Sequence, residues 1–242
     1  MAKNVEQLQL SQLSKGDQMK HSFPLRALAR LIEYPEQELV NHISEIDEVI
    51  KGNSVFNKSI TAGLVSLTRS IQVSDLLDLQ EQYVDCFDRG RQTSLHLFEH
   101  VHGDSRERGQ AMVDLLDTYK QTGYVVDGKE LPDHLAIVLE FASTLDEKTA
   151  KSFFTEMTHI FDALYTSLAK RNSLYAWIIA AAIDFSGGKV KLIELKPVVT
   201  SMDEDWEEPA AFGGCSTKGQ SKPDEVQPVH FVKKENTQGV RA

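Results

Sequence analysis

The chain has 242 residues, of which 41% are hydrophobic and 26% are charged, enough for one soluble domain with a sizeable core. Its formal net charge is −10, from 36 acidic against 26 basic side chains, which argues against a direct nucleic-acid binder and favours cationic partners. The two cysteines, Cys86 and Cys215, are far apart and form no metal-binding or redox motif, so we expect reduced thiols and a cytoplasmic protein.

The first half of the chain changes from a polar segment to helical periodicity. Residues 1–20 are weakly patterned, contain no secretory signal and are expected to be mobile. An apolar stripe predicts a helix from Pro24 that ends before Pro35, and a second helix follows over 36–50. A third is predicted around 62–71. Ser74 then precedes a fourth over 75–87, whose apolar face carries Leu76, Leu79, Tyr83 and Phe87.

The second half predicts further helices. Ser105 can cap a helix over 106–121, and Pro132 is placed to open another, with Asp133 in its first turn. One long helix is predicted to carry the stripe from Phe153 to Leu168. The apolar run Tyr175–Ile183 is too short to span a bilayer, so it predicts a buried helix that stops at Gly187-Gly188.

Alternating strand patterns are almost absent, and 189–195 is the one ambiguous stretch. The sequence therefore predicts an all-α fold, a single-domain helical bundle with flexible termini. We expect a mobile segment over 1–20, a helical domain over 21–196, and a flexible tail over 197–242 that is rich in proline, glycine and acidic residues.

The stretch "RQTSLHLFEHVHG" has the spelling of an inverted zinc-hydrolase motif. On a helix, His96 and His100 would face the same way, and Glu99 could act as a base. A zinc hydrolase also needs a third protein ligand and a rigid pocket, and no second motif supplies them. Gly103 also breaks the segment at once. A metal-dependent hydrolase using these three residues is kept as the alternative hypothesis.

Other catalytic signatures are missing from the sequence. Asp133-His134 reverses the order of the usual metal-phosphohydrolase pair, and no phosphate-binding loop or G-x-S-x-G motif occurs. We therefore expect no catalytic, cofactor-binding or metal-binding residues. A third hypothesis is a generic helical adaptor whose client has no cofactor.

A longer block, "FDRGRQTSLHLFEHVHGDSRERGQAMVDLL" (87–116), resembles the signature of the NarJ-type chaperones, in the wider TorD/DmsD-like chaperone class. "LARLIEYP" (28–35) and "ELPDHLAIVLEF" (130–141) agree with the family, and "WEEPAAFGG" (206–214) matches a tail segment of some members. The resemblance covers about residues 25–185. The family pattern uses "FEHVHG" and requires no histidine at position 96, and the tail matches it only locally.

The resemblance implies a TorD/DmsD-like helical fold and a dedicated cytoplasmic chaperone rather than an enzyme. Its partner would be the catalytic (alpha) subunit of respiratory nitrate reductase, bound chiefly through that subunit's N-terminal leader-like segment. The chaperone would keep the apo subunit competent for insertion of the molybdenum cofactor (bis-MGD), delay membrane docking until loading, and stay out of the finished enzyme. Molybdenum cofactor biosynthesis proteins are candidate further partners, and neither nucleic acid nor membrane insertion is expected.

Two groups of residues are predicted to serve this role. A leader-like segment offers a short apolar helix with basic residues, which suits an apolar groove with acids at its rim. The predicted client-binding residues are Tyr83, Phe98, Glu99, His100, His102, Asp133, His134 and Leu135. Four arginines are predicted to organise the surrounding loops by pairing with Asp85, Asp88, Asp104 and Glu107: Arg89, Arg91, Arg106 and Arg108.

Overall fold

The structure, a computed structural model, describes residues 20–103, 105–128 and 130–190. Within these residues it contains α-helices, one 3₁₀ helix and no β-strand, which confirms the predicted all-α class. The helices are α1 (Ser22–Ile32), α2 (Gln37–Gly52), α3 (Lys58–Val73), α4 (Leu76–Phe87), α5 (Glu99–His102), α6 (Arg106–Gln121), α7 (Leu135–Thr144), α8 (Glu147–Glu156), α9 (Thr158–Lys170) and α10 (Ala176–Phe185). The 3₁₀ helix, Arg91–Thr93, lies between α4 and α5.

Helix α1 is buried along one broad face, because its apolar residues recur at helical spacing. Leu25, Leu28 and Leu31 are completely buried, and α1 packs mainly against α7 and α2. Pro24 lies in the first turn and Pro35 follows the helix, as predicted. The α4 side chain Tyr83 donates a hydrogen bond from its hydroxyl to the carbonyl of Ile32 (3.0 Å), which joins α4 to the end of α1.

Helix α10 is apolar apart from Asp184 and has the largest buried share among the described helices. It packs against α9, α3 and α8, and its residues from Ile178 to Ile183 are at most 1% exposed. The prediction of a buried helix is therefore confirmed. Gly187 follows with φ 88°, a conformation that glycine adopts without strain and that ends the helix.

Three predicted boundaries are wrong. Asp75, not Ser74, caps α4, and its carboxylate accepts a hydrogen bond from the amide of Leu77. The long helix predicted through Met157 is two helices, because the backbone leaves helical geometry at that residue (φ −98°, ψ 1°). Periodicity misses this break because the apolar stripe continues on both sides of it. Helix α7 starts at Leu135, three residues after Pro132, because the preceding residues pair with another segment.

Some predictions concern residues that the structure leaves undescribed. The N-terminal segment (apart from Lys20), the ambiguous stretch beyond Val190, and the tail lie outside the described residues, so the predicted domain limits stay predictions. Cys86 is a buried free thiol, and Cys215 lies in the undescribed tail. Among the described helices, none combines the length and apolar character needed to cross a bilayer.

Candidate functional site

Residues 94–98 and 131–135 are distant in sequence and lie side by side. The Leu135 amide donates to the Leu95 carbonyl (2.9 Å), and the Leu97 amide donates to the Asp133 carbonyl (3.1 Å). These bonds form an isolated antiparallel β-bridge that pairs His96 with His134, which we call the histidine bridge. The two imidazole rings meet edge to face, with their centroids 5.3 Å apart. The bridge holds the segment before α7 in an extended conformation, which explains the late start of that helix.

Asp133 is the buried centre of a partly exposed charged cluster, which we call the Asp133 cluster: His96, Glu99, Arg108 and Asp133. The Asp133 side chain is completely buried, and one of its oxygens accepts a hydrogen bond from the Phe98 amide (3.1 Å). The same oxygen lies 3.7 Å from Arg108 Nη2, and the other lies 3.4 Å from His96 Nδ1. Arg108 also donates to Glu99 Oε1 at 2.9 Å. The cluster thus connects the loop before α5, helix α6 and the approach to α7.

The cluster alters the proton affinities of its members. Contact with the Asp133 carboxylate raises the pKa of His96, although burial opposes the shift. Burial lowers the pKa of His134, and the nearby His96 lowers it further. Burial alone would raise the pKa of Glu99, but the Ser94 hydroxyl and the Arg108 guanidinium together hold it below its usual range. The protonated form of His96 is therefore favoured beside the ionised acids.

His96 is expected to titrate at a higher pH than His134 in an NMR pH titration of the ring protons. The His96 contribution to stability is fully present below the usual pKa of 6.5 and is lost as the pH rises through the raised value. The His134 contribution to stability changes with pH in the opposite direction. Its neutral form is favoured in the fold, so this contribution is lost as the pH falls through the lowered pKa. In Asp133→Asn, the pKa of His96 should fall, and an unchanged His96 titration would contradict the assignment.

The premise of the zinc-hydrolase alternative is wrong. Helix α5 begins at Glu99, so His96 precedes it in an extended segment and does not share a helix face with His100. His96 contacts Asp133, whereas His100 Nε2 lies 2.8 Å from the Ser94 carbonyl oxygen. In the described part of the chain, no group of three potential ligands converges on a point where a metal could bind.

A cleft of about 700 Å³ lies next to the histidine bridge, and His96 and His134 both line it. Its apolar lining, which we call the floor, consists of Tyr34, Leu39, Ile46, Tyr83, Ala136 and Ile137. Five carboxylates also line it: Glu33, Glu36, Glu38, Asp88 and Glu130. We call this cleft the acidic groove; Arg30, His42, His96 and His134 complete its lining. A lining that combines apolar and acidic side chains suits a segment that has one apolar face and basic residues.

The structure separates the predicted client-binding residues into three places. Tyr83 and His134 line the acidic groove. Asp133 and Leu135 are completely buried beneath the histidine bridge, so they can act on a client only by positioning their neighbours. The rest lie in or beside α5 and do not line the groove: Phe98, Glu99, His100 and His102.

Sequence reasoning missed most of the groove, although "IEYPEQEL" contains much of it. Glu33, Tyr34, Glu36 and Glu38 come from this stretch, where α1 ends and α2 begins. The high density of acidic residues around Tyr34 and Pro35 was the sequence feature that could have indicated a binding surface. The stretch forms a groove only together with Tyr83 and Ile137, which α4 and α7 bring to the same cleft.

The four arginines predicted to organise loops have different environments. Arg89 pairs with Asp85 at 2.9 Å, as expected, in an exposed contact. The predicted partners are wrong for Arg108, which contacts Glu99 and Asp133 instead. Glu107, one of the predicted partners, lies 3.7 Å from His102. Arg91 and Arg106 are both exposed, and Asp104 lies outside the described residues. Arg108 therefore joins α6 to Glu99 and Asp133 within the Asp133 cluster.

A sequence profile of the nitrate reductase delta subunit family matches residues 54–179. This chain belongs to that family. Among relatives in the nitrate reductase delta subunit family, the molybdenum cofactor assembly chaperone NarJ of Escherichia coli K12 is 44% identical over 149 residues. The match covers 62% of this chain and 63% of NarJ, so it spans less than two thirds of that relative's length. The NarJ-type resemblance predicted from the sequence is confirmed.

Other similar proteins extend the comparison. The probable assembly chaperone NarW of Escherichia coli K12 is 34% identical, with 75% of each chain covered. The probable NarJ of Bacillus subtilis is 31% identical, over 63% of this chain and 82% of that protein. A crystal structure of a putative redox enzyme maturation protein from Archaeoglobus fulgidus has a TM-score of 0.49 at 18% identity, covering 73% of this chain and 96% of that one.

Proposed function

We propose that this protein is a system-specific assembly chaperone of respiratory nitrate reductase. It binds the apo form of the catalytic (alpha) subunit, keeps that subunit competent for insertion of the molybdenum cofactor, and delays membrane docking until loading. It has no catalytic activity of its own and stays out of the finished enzyme. The names of the relatives support this role, since NarJ and NarW are named molybdenum cofactor assembly chaperones of nitrate reductase.

The acidic groove is the observation that carries the proposal for how the client binds. We propose that it receives the N-terminal leader-like segment of the catalytic subunit as a short helix, with apolar residues on the floor. Tyr34 is 46% exposed beside the buried Tyr83, so the floor presents aromatic surface to an incoming side chain. The surrounding carboxylates would attract basic residues and raise the rate of encounter more than the affinity.

The residues around α5 have a second part in the proposal. Four of the predicted client-binding residues lie in or beside α5 and do not line the groove: Phe98, Glu99, His100 and His102. The histidine bridge connects them to the groove, because both of its histidines line it. We propose that they bind a more distal part of the client or hold the bridge in place. Molybdenum cofactor biosynthesis proteins are the further partners proposed for this face, and the cytoplasm is the proposed location, where the apo subunit awaits its cofactor.

Titration of the purified chain with the N-terminal peptide of the nitrate reductase catalytic subunit tests the function. We expect saturable binding by calorimetry, and no binding of a scrambled peptide of the same composition. Replacing Glu36 and Glu38 together by glutamine should weaken binding about three- to tenfold, because two groove carboxylates are lost. The loss should shrink at high salt, since exposed charges are screened.

A matched variant separates groove charge from net charge. Glu147 and Glu156 lie on α8, outside the groove lining, and their replacement by glutamine removes the same number of charges. This variant should bind like the wild type. Absence of binding at tens of micromolar would overturn the proposed function, and equal binding of natural and scrambled peptides would favour a generic adaptor.

A further inference from the structure

The acidic groove contains a cation of its own. Arg30 is the one arginine or lysine among the described residues that line it. Its Nη1 lies 2.9 Å from Oε2 of Glu33, the residue that directly follows α1. The arginine side chain is 65% exposed and that of Glu33 is 41% exposed, so an incoming side chain can reach the pair.

The carboxylate of Glu33 is incompletely compensated by Arg30. Burial raises the pKa of Glu33 above its usual range, and the neighbouring Glu140 and Glu36 raise it further, although the guanidinium opposes both effects. The environment therefore disfavours the negative charge even with one cation in contact. A better-placed cation from outside would be stabilised at this position.

We propose that Arg30 is an internal stand-in for the basic residue of a bound client. Without a client, the Arg30 guanidinium pairs with the Glu33 carboxylate. A client's lysine or arginine must displace the guanidinium to reach the same carboxylate. This inference rests on the proposed function. Exposed pairs at i,i+3 spacing are weak, so a client whose apolar face fits the floor can displace Arg30 at a modest cost. A basic segment that does not fit the floor lacks the apolar contacts that offset this cost, so Arg30 acts as a specificity-determining residue.

Arg30→Gln, measured by calorimetry against the catalytic subunit's N-terminal peptide at about pH 8 and low salt, tests the proposal. We expect the variant to bind about two- to fivefold more tightly than the wild type, because the competitor is removed and the carboxylates remain. Arg30→Lys retains a competing cation and should gain less affinity than Arg30→Gln. A peptide whose basic residues are all replaced by glutamine should show no gain with Arg30→Gln.

The chain offers a closely matched control. Lys120, in the last turn of α6, lies 3.3 Å from Asp117 in another exposed i,i+3 pair, and it does not line the groove. Lys120→Gln changes the net charge by the same amount and should leave the affinity unchanged. An equal gain for Lys120→Gln and Arg30→Gln would assign the effect to net charge and overturn the proposal.

The test also distinguishes this inference from the proposed function. If the wild type binds the peptide and Arg30→Gln binds it equally or more weakly, the stand-in role is wrong and the chaperone function is unaffected. If the wild type fails to bind the natural peptide, the proposed function itself is wrong. Glu33→Gln provides a further check, since removal of the shared carboxylate should abolish the gain from Arg30→Gln.

Discussion

Replacing Asp133 by alanine is expected to lower the free energy of unfolding by about 3–5 kcal/mol, the cost of breaking a buried charged contact by removing one partner. The change leaves the Phe98 amide without its acceptor and Arg108 without one of its two carboxylates. It also leaves the protonated form of His96 without its counter-charge. Urea denaturation followed by circular dichroism measures the loss.

Two further variants make the Asp133 prediction specific. Asp133→Asn keeps an oxygen that can accept from the Phe98 amide, so it should be less destabilising than alanine. Asp85→Ala removes a carboxylate from an exposed pair with Arg89 and should cost about 0–1 kcal/mol. A loss below about 1 kcal/mol for Asp133→Ala would show that the cluster does not stabilise the fold in this way.

Gly63→Ala is expected to destabilise the protein by about 1–3 kcal/mol through overpacking. Helix α3 passes so close to α10 at this position that a Cβ atom on Gly63 would overlap the Trp177 indole ring. The indole is rigid and packs against the core, so the helices must move apart to make room. The midpoint of urea denaturation should fall accordingly.

Gly52 supplies the control for Gly63. It ends α2, and a Cβ atom there would meet nothing within 4 Å. Gly52→Ala should therefore be neutral or stabilise the protein by up to about 1 kcal/mol, because alanine loses less backbone freedom in a helix. Equal destabilisation by the two substitutions would contradict the packing argument.

The zinc-like spelling of residues 96–100 shows how a motif depends on the element that carries it. His96 and His100 share a face only if one helix contains both, and the bridge to His134 prevents that. The same bridge explains the wrong prediction for Pro132, whose following residues favoured a helix start by local preference. Backbone hydrogen bonds to residues 95 and 97 outweighed that preference. Neither error was detectable from local sequence.

The sequence by itself determined the helical class, the buried faces of α1 and α10 and the family resemblance, because periodicity and motif spelling are local properties. Tertiary structure alone decided the acidic groove and the Asp133 cluster. Tyr34 lies between α1 and α2, Tyr83 lies on α4 and Ile137 on α7, and Asp133 is 25 residues from Arg108. Such sites form only when packing places distant side chains together, and the binding proposals follow from that packing.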